Sequence, residues 1–238
     1  MNAHHKTIIG IVTLSVVVIT LGLVALADQS AVPASVETVA VTRANAQRMV
    51  LDLAPSASHL TLRALPADST FALTGDIEVG GREALTEEVV AGEGLELRYQ
   101  TRQRFGIHVN ATDRHTWDLA MARDLPTDLA LRARVARATL DLRDTDVRSL
   151  DLTMDIGRST VFLPTRSFTG TVTADIGDVD LILPKDANAT ITVQRGLTTT
   201  QVSDDFTRTN QQYRLSGSGP EITLTVKNDS GRVSLSTY

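Results

Sequence analysis

Carboxylates recur at one phase of an internal repeat and are the first candidates for chemistry. Asp155, Asp175 and Asp229 share this phase, and Asp178 and Asp180 lie close by. Stacked carboxylates can bind Ca²⁺, which takes roughly six to eight oxygen ligands. The alternative is a turn in which aspartate accepts backbone N–H bonds and a glycine completes the bend. The Gly-Gly-x-Gly-x-Asp repeat of Ca²⁺-binding solenoids is absent. We therefore favour structural turns at Asp155, Gly157, Asp175, Gly177, Asp229 and Gly231, and expect neither metal nor cofactor.

Arginines form a second candidate site. Arg132, Arg134 and Arg137 lie on or beside one alternating stretch, and Arg132 and Arg134 share the face opposite Leu131 and Val135. A basic row outside a membrane can bind anionic cell-wall polymer or lipid headgroups. The alternative is a solvated face whose charges are balanced by neighbouring acids.

Histidine chemistry is the third candidate. His108 and His115 share a patch with Asp113, Arg114 and Trp117, a mixture that can bind a metal or a polar ligand. Zinc needs three or four convergent ligands, so we expect these to be solvent-exposed strand and turn residues instead.

The phosphate-binding, nucleophile-elbow, zinc-protease and dinucleotide motifs are absent from the sequence. The sequence therefore predicts a protein that is not an enzyme.

Composition narrows the class of protein further. The 238 residues include no cysteine, which excludes disulfides, thiolate metal sites and a cysteine nucleophile. With Lys6 set aside, 22 of the 23 Lys and Arg residues remain against 28 Asp and Glu, a balance of −6. Nucleic acid is therefore not an expected partner, because phosphate binding needs a basic field.

Residues 150–184 contain the repeat that would position these side chains. Asp155-Ile156-Gly157 returns twenty residues later as Asp175-Ile176-Gly177, and each copy is followed by an apolar run that ends in Leu-Pro. Each unit has the pattern of a strand, a tight glycine turn, a strand and a proline stop. Because one unit cannot bury its apolar face alone, the repeat predicts an all-β stack, either of β-hairpins or as a β-solenoid.

Shorter alternating stretches extend this prediction along the chain. We expect strands at residues 49–53, 60–65, 77–79, 95–99, 107–109 and 117–121, and a regular stack from 129 to 235. Residues 229–235 match 175–181 in spacing and predict a closing rung. Its edge at 233–235 should be covered by a folded-back segment or used for self-association.

The N-terminus predicts the location of the domain. Residues 7–27 carry no charge and, at about 1.5 Å per residue, span about 31 Å as a helix. Lys6 precedes this segment, so the positive-inside rule puts the C-terminal part outside the cytoplasm of a bacterial cell. The predicted layout is a cytoplasmic end (1–6), one transmembrane helix (7–27), a linker (28–46) and an extracytoplasmic domain (47–238). The alternative is a signal peptide cleaved after Ala27.

Several motifs resemble one protein family in their order along the chain. They are Leu51-Asp52-Leu53, Trp117-Asp118-Leu119, Thr139-Leu140-Asp141-Leu142, Leu150-Asp151-Leu152 and Asp155-Ile156-Gly157 with two Leu-Pro stops. The order is similar to that of the toast-rack domains, which include the extracytoplasmic part of the bacterial cell-wall-active antibiotic response proteins. The resemblance covers most of residues 49–238. It implies a domain of stacked strand pairs, used for envelope sensing or protein interaction, without known catalysis.

These observations predict a membrane-anchored, non-catalytic extracytoplasmic module for cell-envelope sensing, scaffolding or protein interaction, with other envelope proteins as partners. The alternative is a carbohydrate-binding, carbohydrate-active or adhesive β-solenoid. Only 4% of the residues are aromatic, which argues against an aromatic-lined sugar site.

Overall fold

The computed structural model of the chain describes residues 34–81, 83–103 and 115–238, and every regular element in these ranges is a β-strand. The strands in chain order are β1 (Ser35–Thr42), β2 (Met49–Ala54), β3 (Ala57–Ala64), β4 (Phe71–Val79), β5 (Glu83–Ala91), β6 (Leu95–Gln103), β7 (His115–Met121), β8 (Thr127–Asp141), β9 (Val147–Phe162), β10 (Phe168–Leu183), β11 (Asn188–Val202), β12 (Thr207–Thr209), β13 (Gln212–Leu215) and β14 (Glu221–Thr237). The all-β prediction is confirmed. Within these ranges no helix is long and apolar enough to cross a membrane, and the predicted span 7–27 lies outside them.

The fourteen strands join in one branched sheet. Its main path runs β1-β4-β7-β3-β8-β9-β10-β14-β11-β13-β12. The branch point is β8, whose first half pairs with β2 and whose second half pairs with β3. Beyond β2 the branch continues through β6 to β5. The strands predicted near 49, 60, 77, 95 and 117 are confirmed as β2, β3, β4, β6 and β7, whereas 107–109 lies outside the described residues.

The repeat forms a stack of parallel coils. Strands β8, β9 and β10 pair in parallel one period apart, so that Gly157 lies beside Gly177 and Leu152 beside Val172. The two halves of each unit belong to one long strand and pair with the neighbouring coils rather than with each other. Of the two predicted architectures, the β-solenoid matches this parallel pairing between coils. The stack of β-hairpins, in which the two halves of one unit would pair with each other, is wrong.

Each long strand changes its inward phase at its centre. In β9, Leu152 and Met154 are buried before the change and Ser159 and Val161 after it, so the inward positions shift from even to odd numbers. Two consecutive exposed residues, Asp155 and Ile156, and then Gly157 separate the two phases. The strand bends here, and the buried residues of both halves belong to one hydrophobic core.

The first strand corrects the predicted domain boundary. Residues 28–46 were predicted to be a linker, but β1 lies within them and pairs antiparallel with β4. Its Val39 and Val41 are buried in the core, while Thr38, Ala40 and Thr42 face outward. The sequence predicted a linker here because this alternating stretch is short and follows Pro33. The folded domain therefore begins before residue 47.

The last strand corrects the predicted C-terminal edge. Its register is as the repeat predicted, since Gly231 pairs with Gly177 and Leu235 with Leu181. However, β14 lies between β10 and β11, and Val233 has a neighbour on each side, Val179 and Thr200. The chain runs from β11 through β12 and β13 and returns into the stack. The edge at 233–235 is therefore not open, and the closing position belongs to β11.

Candidate anion-binding groove

A groove of about 500 Å³ lies on the outer surface where β6, β2 and β8 run side by side. The parallel register puts Asp52 of β2 between Arg98 of β6 and Ala130 of β8. Arginines line both walls, with Arg98 and Arg102 from β6 and Arg132 and Arg134 from β8. We call these four side chains the arginine groove.

The groove exists because β2 ends before β8 does. Pro55 and Ser56 interrupt the chain between β2 and β3, whereas β8 continues past them as one strand. Proline has no N–H to donate to a ladder, so the sheet opens at this point. The backbone N–H of Ser56 instead donates to the buried Thr101 hydroxyl at 2.9 Å, which ties the break to β6.

The positive charges of the groove are unequally neutralised. Arg132 Nη1 donates to both carboxylate oxygens of Asp52 at 2.8 Å, and Arg98 Nη1 donates to Glu88 Oε2 at 3.1 Å. Arg134, whose side chain is 77% exposed, has a 3.9 Å contact with Asp155 as its one ion-pair contact among the described residues. Arg102 Nη2 donates to Gln100 Oε1, a neutral acceptor, at 3.1 Å. Arg102 and Arg134 therefore carry most of the charge that is available to a ligand.

The floor of the groove is fixed by Tyr99. Its ring is buried, and its hydroxyl donates to Glu87 Oε1 of β5 at 3.0 Å. Burial, and then the negative charge of Glu87 and the hydrogen bond to it, raise the pKa of Tyr99 well above its usual value. The phenol therefore stays neutral at physiological pH and does not add a charge to the groove.

Four arginines and one aspartate line the groove, and the carboxylates of Glu88 and Asp155 lie beside Arg98 and Arg134. Guanidinium groups present planar N–H donors that match carboxylate and phosphate oxygens in pairs. Since the arginines extend from strands held in register, their spacing is set by the sheet. The arrangement is suited to binding an anionic group from solution.

Only two of the three sequence-predicted arginines lie in this groove. Arg137 belongs to the second half of β8, beyond the change of phase, where it is flanked by His59 of β3 and Arg158 of β9. The strand bends between Arg134 and Arg137, so the three residues do not share one face. All three side chains are exposed, with Arg132 and Arg134 before the bend and Arg137 beyond it. Binding of an anionic partner by these arginines stays a prediction.

Comparison with known proteins agrees with the fold just described. A family described as the N-terminal domain of toast_rack, DUF2154, matches residues 30–182. The chain belongs to the toast-rack family. A crystal structure from Clostridium sporogenes, provisionally described as a cell adhesion protein, superposes with a TM-score of 0.75 at 14% identity. The match covers 87% of this chain and all of the Clostridium chain, and at this identity it shows the fold alone. No curated protein matches the sequence.

In this toast-rack domain the repeated glycines lie within strands. Gly157, Gly177 and Gly231 have φ angles of +148°, +151° and +134° and stack on one another across β9, β10 and β14. The tight-turn prediction is therefore wrong, because the chain bends at each glycine without leaving the ladder. Asp155, Asp175 and Asp229 are exposed beside the bend. Among the described residues, no three Asp, Glu or His side chains are grouped as metal ligands.

The predicted histidine patch is divided in the toast-rack fold. His108, Asp113 and Arg114 lie outside the described residues. His115 begins β7 and its ring packs against Gly80, where a Cβ atom would lie 2.4 Å from Nε2. Trp117, which we expected to be exposed, is one of the largest fully buried side chains of the core. Strand alternation explains the difference, because Trp117 shares the inward phase of Leu119.

Sequence reasoning missed three residues that matter here. Arg98 and Arg102 share one phase of β6, but nothing in the sequence indicated that β6 would lie beside β2. Asn228 is fully buried at the repeat position that Met154 and Ala174 occupy in other coils. A polar residue at an apolar phase of the repeat was the signal that could have identified it.

Proposed function

We propose that this chain is a non-catalytic extracytoplasmic module of the bacterial cell envelope, held at the membrane by residues 7–27, and that the arginine groove binds an anionic group of an envelope partner. The observation that carries the proposal is the convergence of four arginines on strands of fixed register, of which Arg102 donates to a neutral acceptor and Arg134 has only a long contact to a carboxylate among the described residues. Family membership agrees with a β-sheet interaction module.

The groove is open enough for a phosphate or carboxylate group to reach its arginines. Arg98 and Arg132 have side chains that are 53% exposed, so an incoming anion can reach them without displacing the core. Each hydrogen bond to a charged group contributes about 1.5–3 kcal/mol before screening is considered. Because the groove is open to solvent, added salt should weaken binding, with a Debye length of about 8 Å at physiological ionic strength.

The test is binding of the full chain, in a mild non-ionic detergent, to a phosphodiester-linked wall polymer and to glycerophosphoglycerol, a water-soluble anionic lipid headgroup, each measured at low and high salt. The groove variant is Arg102→Glu with Arg134→Glu. The matched control is Arg137→Glu with Arg214→Glu, which makes the same change in net charge at exposed positions outside the groove. We expect about a tenfold or greater loss of affinity for the groove variant, since charged interface hydrogen bonds are lost and repulsion is added. The control should bind as the wild type does.

Equal losses in the two variants would show binding through overall charge and would contradict the groove assignment. Binding of neither the polymer nor the lipid headgroup by the wild-type chain would overturn the proposal as a whole. A preference for one of the two probes identifies the source of the anion.

An adhesive, carbohydrate-binding role is the second candidate, and the fold shared with the Clostridium protein is the observation that favours it. The groove offers a sugar no aromatic stacking surface among its described lining residues, because Tyr99 is buried. An adhesive chain should bind neutral glycans, and the charge-reversed groove variant should bind them as strongly as the wild type.

A further inference from the structure

The stack ends at β11, and only half of that strand is covered. Residues 189–192 of β11 pair antiparallel with β13 on the side away from β14. After Val193, whose N–H donates to Gln211 at 2.9 Å, no described strand lies on this side of β11. The second half of β11, residues 196–202, is therefore an open sheet edge, which we call the β11 edge.

The direction of the backbone groups at this edge follows from one hydrogen bond. The N–H of Ser203 donates to the Leu235 carbonyl of β14 at 3.0 Å. Since successive residues of a strand direct their N–H and C=O groups to opposite sides, Thr199 and Gln201 also face β14. Thr198, Thr200 and Val202 then present their backbone donors and acceptors to the open side.

The side chains of the β11 edge do not protect it. Residues 196–202 contain no charge and no proline, and they are rich in β-branched residues. Leu197 is 88% exposed, the highest value among the large apolar side chains described. Proteins usually protect open edges with charges, proline or bulges. The other long open edges carry such charges, with Glu37 in β1 and Glu83, Glu87 and Glu88 in β5.

We infer that the β11 edge pairs antiparallel with the same edge of a second copy of this chain, about a two-fold axis at Thr200. In this register Thr200 pairs with its own copy and Thr198 with Val202, so all three outward-facing residues form hydrogen-bonded pairs. Two-fold pairing brings each strand against itself, so an edge with like charges repels its copy. An uncharged edge is compatible with a second copy, whereas the glutamates of β5 would oppose one another.

The first test is the mass of the full chain, in a mild detergent, by sedimentation velocity across a concentration series. The edge variant is Leu197→Lys with Thr199→Lys, both at exposed side chains whose replacement leaves the core intact. The control is Thr169→Lys with Thr171→Lys, at exposed positions of β10, an interior strand of the stack. We expect dimers for the wild type and the control, and at least about tenfold weaker dimerisation for the edge variant. A monomeric wild type, or an edge variant that dimerises as the wild type does, overturns the proposal.

The second test determines the register of the two paired strands. Because the chain contains no cysteine, every disulfide formed must involve an introduced residue. Thr199→Cys and Gln201→Cys variants are oxidised alone and as an equimolar mixture, and disulfide-linked dimers are counted on a non-reducing gel. An axis at Thr200 puts residue 199 of one copy opposite residue 201 of the other, so the mixture should cross-link most. Stronger cross-linking of either variant alone contradicts this axis. Neither test involves anion binding, so this inference and the proposed function succeed or fail separately.

Discussion

A Cβ atom on Gly177 would lie 1.9 Å from the carbonyl oxygen of Gly157, its neighbour in the next coil. The same distance separates a Cβ on Gly231 from the carbonyl oxygen of Gly177. The bends of successive coils are therefore in direct backbone contact, and a side chain at any of these positions would force the strands apart. This stacked glycine column sets the spacing of the coils at the point where they bend.

Replacing Gly177 by alanine should destabilise the domain by about 2–4 kcal/mol, because the new methyl group meets backbone atoms and the positive φ is unfavourable for a side chain. The measurement is equilibrium urea unfolding of the full chain. Gly92→Ala is the matched control, since the nearest atom to a Cβ there is 3.9 Å away. Equal stability of the two variants would contradict the close contact at the bend.

Asn228 should stabilise the same bend from inside. Its amide nitrogen donates to the Gly177 carbonyl at 3.0 Å, and the Thr198 hydroxyl donates to its backbone carbonyl at 2.6 Å. Asn228→Ala leaves the partly buried Gly177 carbonyl without this donor and should cost about 1–3 kcal/mol of unfolding free energy. Asn210→Gly, at an exposed residue with a φ of +57°, should change stability little. An Asn228→Ala variant as stable as the wild type would show that the amide contributes no net stabilisation.

The first strand should contribute to stability as part of the core. Val41 is 1% exposed, and truncating it to alanine should cost about 2 kcal/mol through lost burial and an unfilled cavity. Val36→Ala is the control, since Val36 of the same strand is 52% exposed and should change the unfolding free energy by less than about 0.5 kcal/mol. Similar effects of the two truncations in urea unfolding would favour a linker at β1 after all.

Tyr238 should make the unfolding free energy depend on pH in the alkaline range. Its hydroxyl donates to the Leu163 carbonyl at 2.9 Å, and burial is the main cause that raises its pKa to about 12 from the ordinary 10.0. The folded protein thus holds this proton more tightly than the unfolded chain does. The stabilisation is complete below pH 10 and is lost as the pH rises toward 12.

Tyr238→Phe removes this contribution, so the stability difference between wild type and variant should be constant up to pH 10 and should narrow above it. Urea unfolding at a series of pH values measures the difference, and Tyr99, present in both chains, cancels. A difference that stays constant through pH 12 would contradict the raised pKa.

Much of the fold follows from local pattern. The alternation in β8, β9 and β10 fixes which residues turn inward, because a half-buried strand must keep its apolar side chains on one face. The recurring Asp-Ile-Gly likewise fixed the register, and Gly157 does lie beside Gly177. The sequence could not distinguish a turn from a bend at these glycines, since both need a residue that tolerates positive φ.

The arginine groove could be anticipated only in part. Arg132 and Arg134 were identifiable from their common phase on β8, but their partners Arg98 and Arg102 lie some thirty residues earlier in the chain, on β6. The pairing of β2 with both β6 and β8 brings the two pairs together. Arg137 lies apart from Arg134 because the inward phase of the strand changes between them.

The sequence by itself determined the repeat and most of the strands from β2 to β10, because these depend on residues a few positions apart. The tertiary structure decided the order of the coils, the insertion of β14 beside β10, the open second half of β11 and the meeting of four arginines around Pro55. These features depend on which strand edges pair across long stretches of chain. Every residue type other than proline offers the same backbone N–H and C=O groups, so the local sequence pattern does not specify which strands will pair.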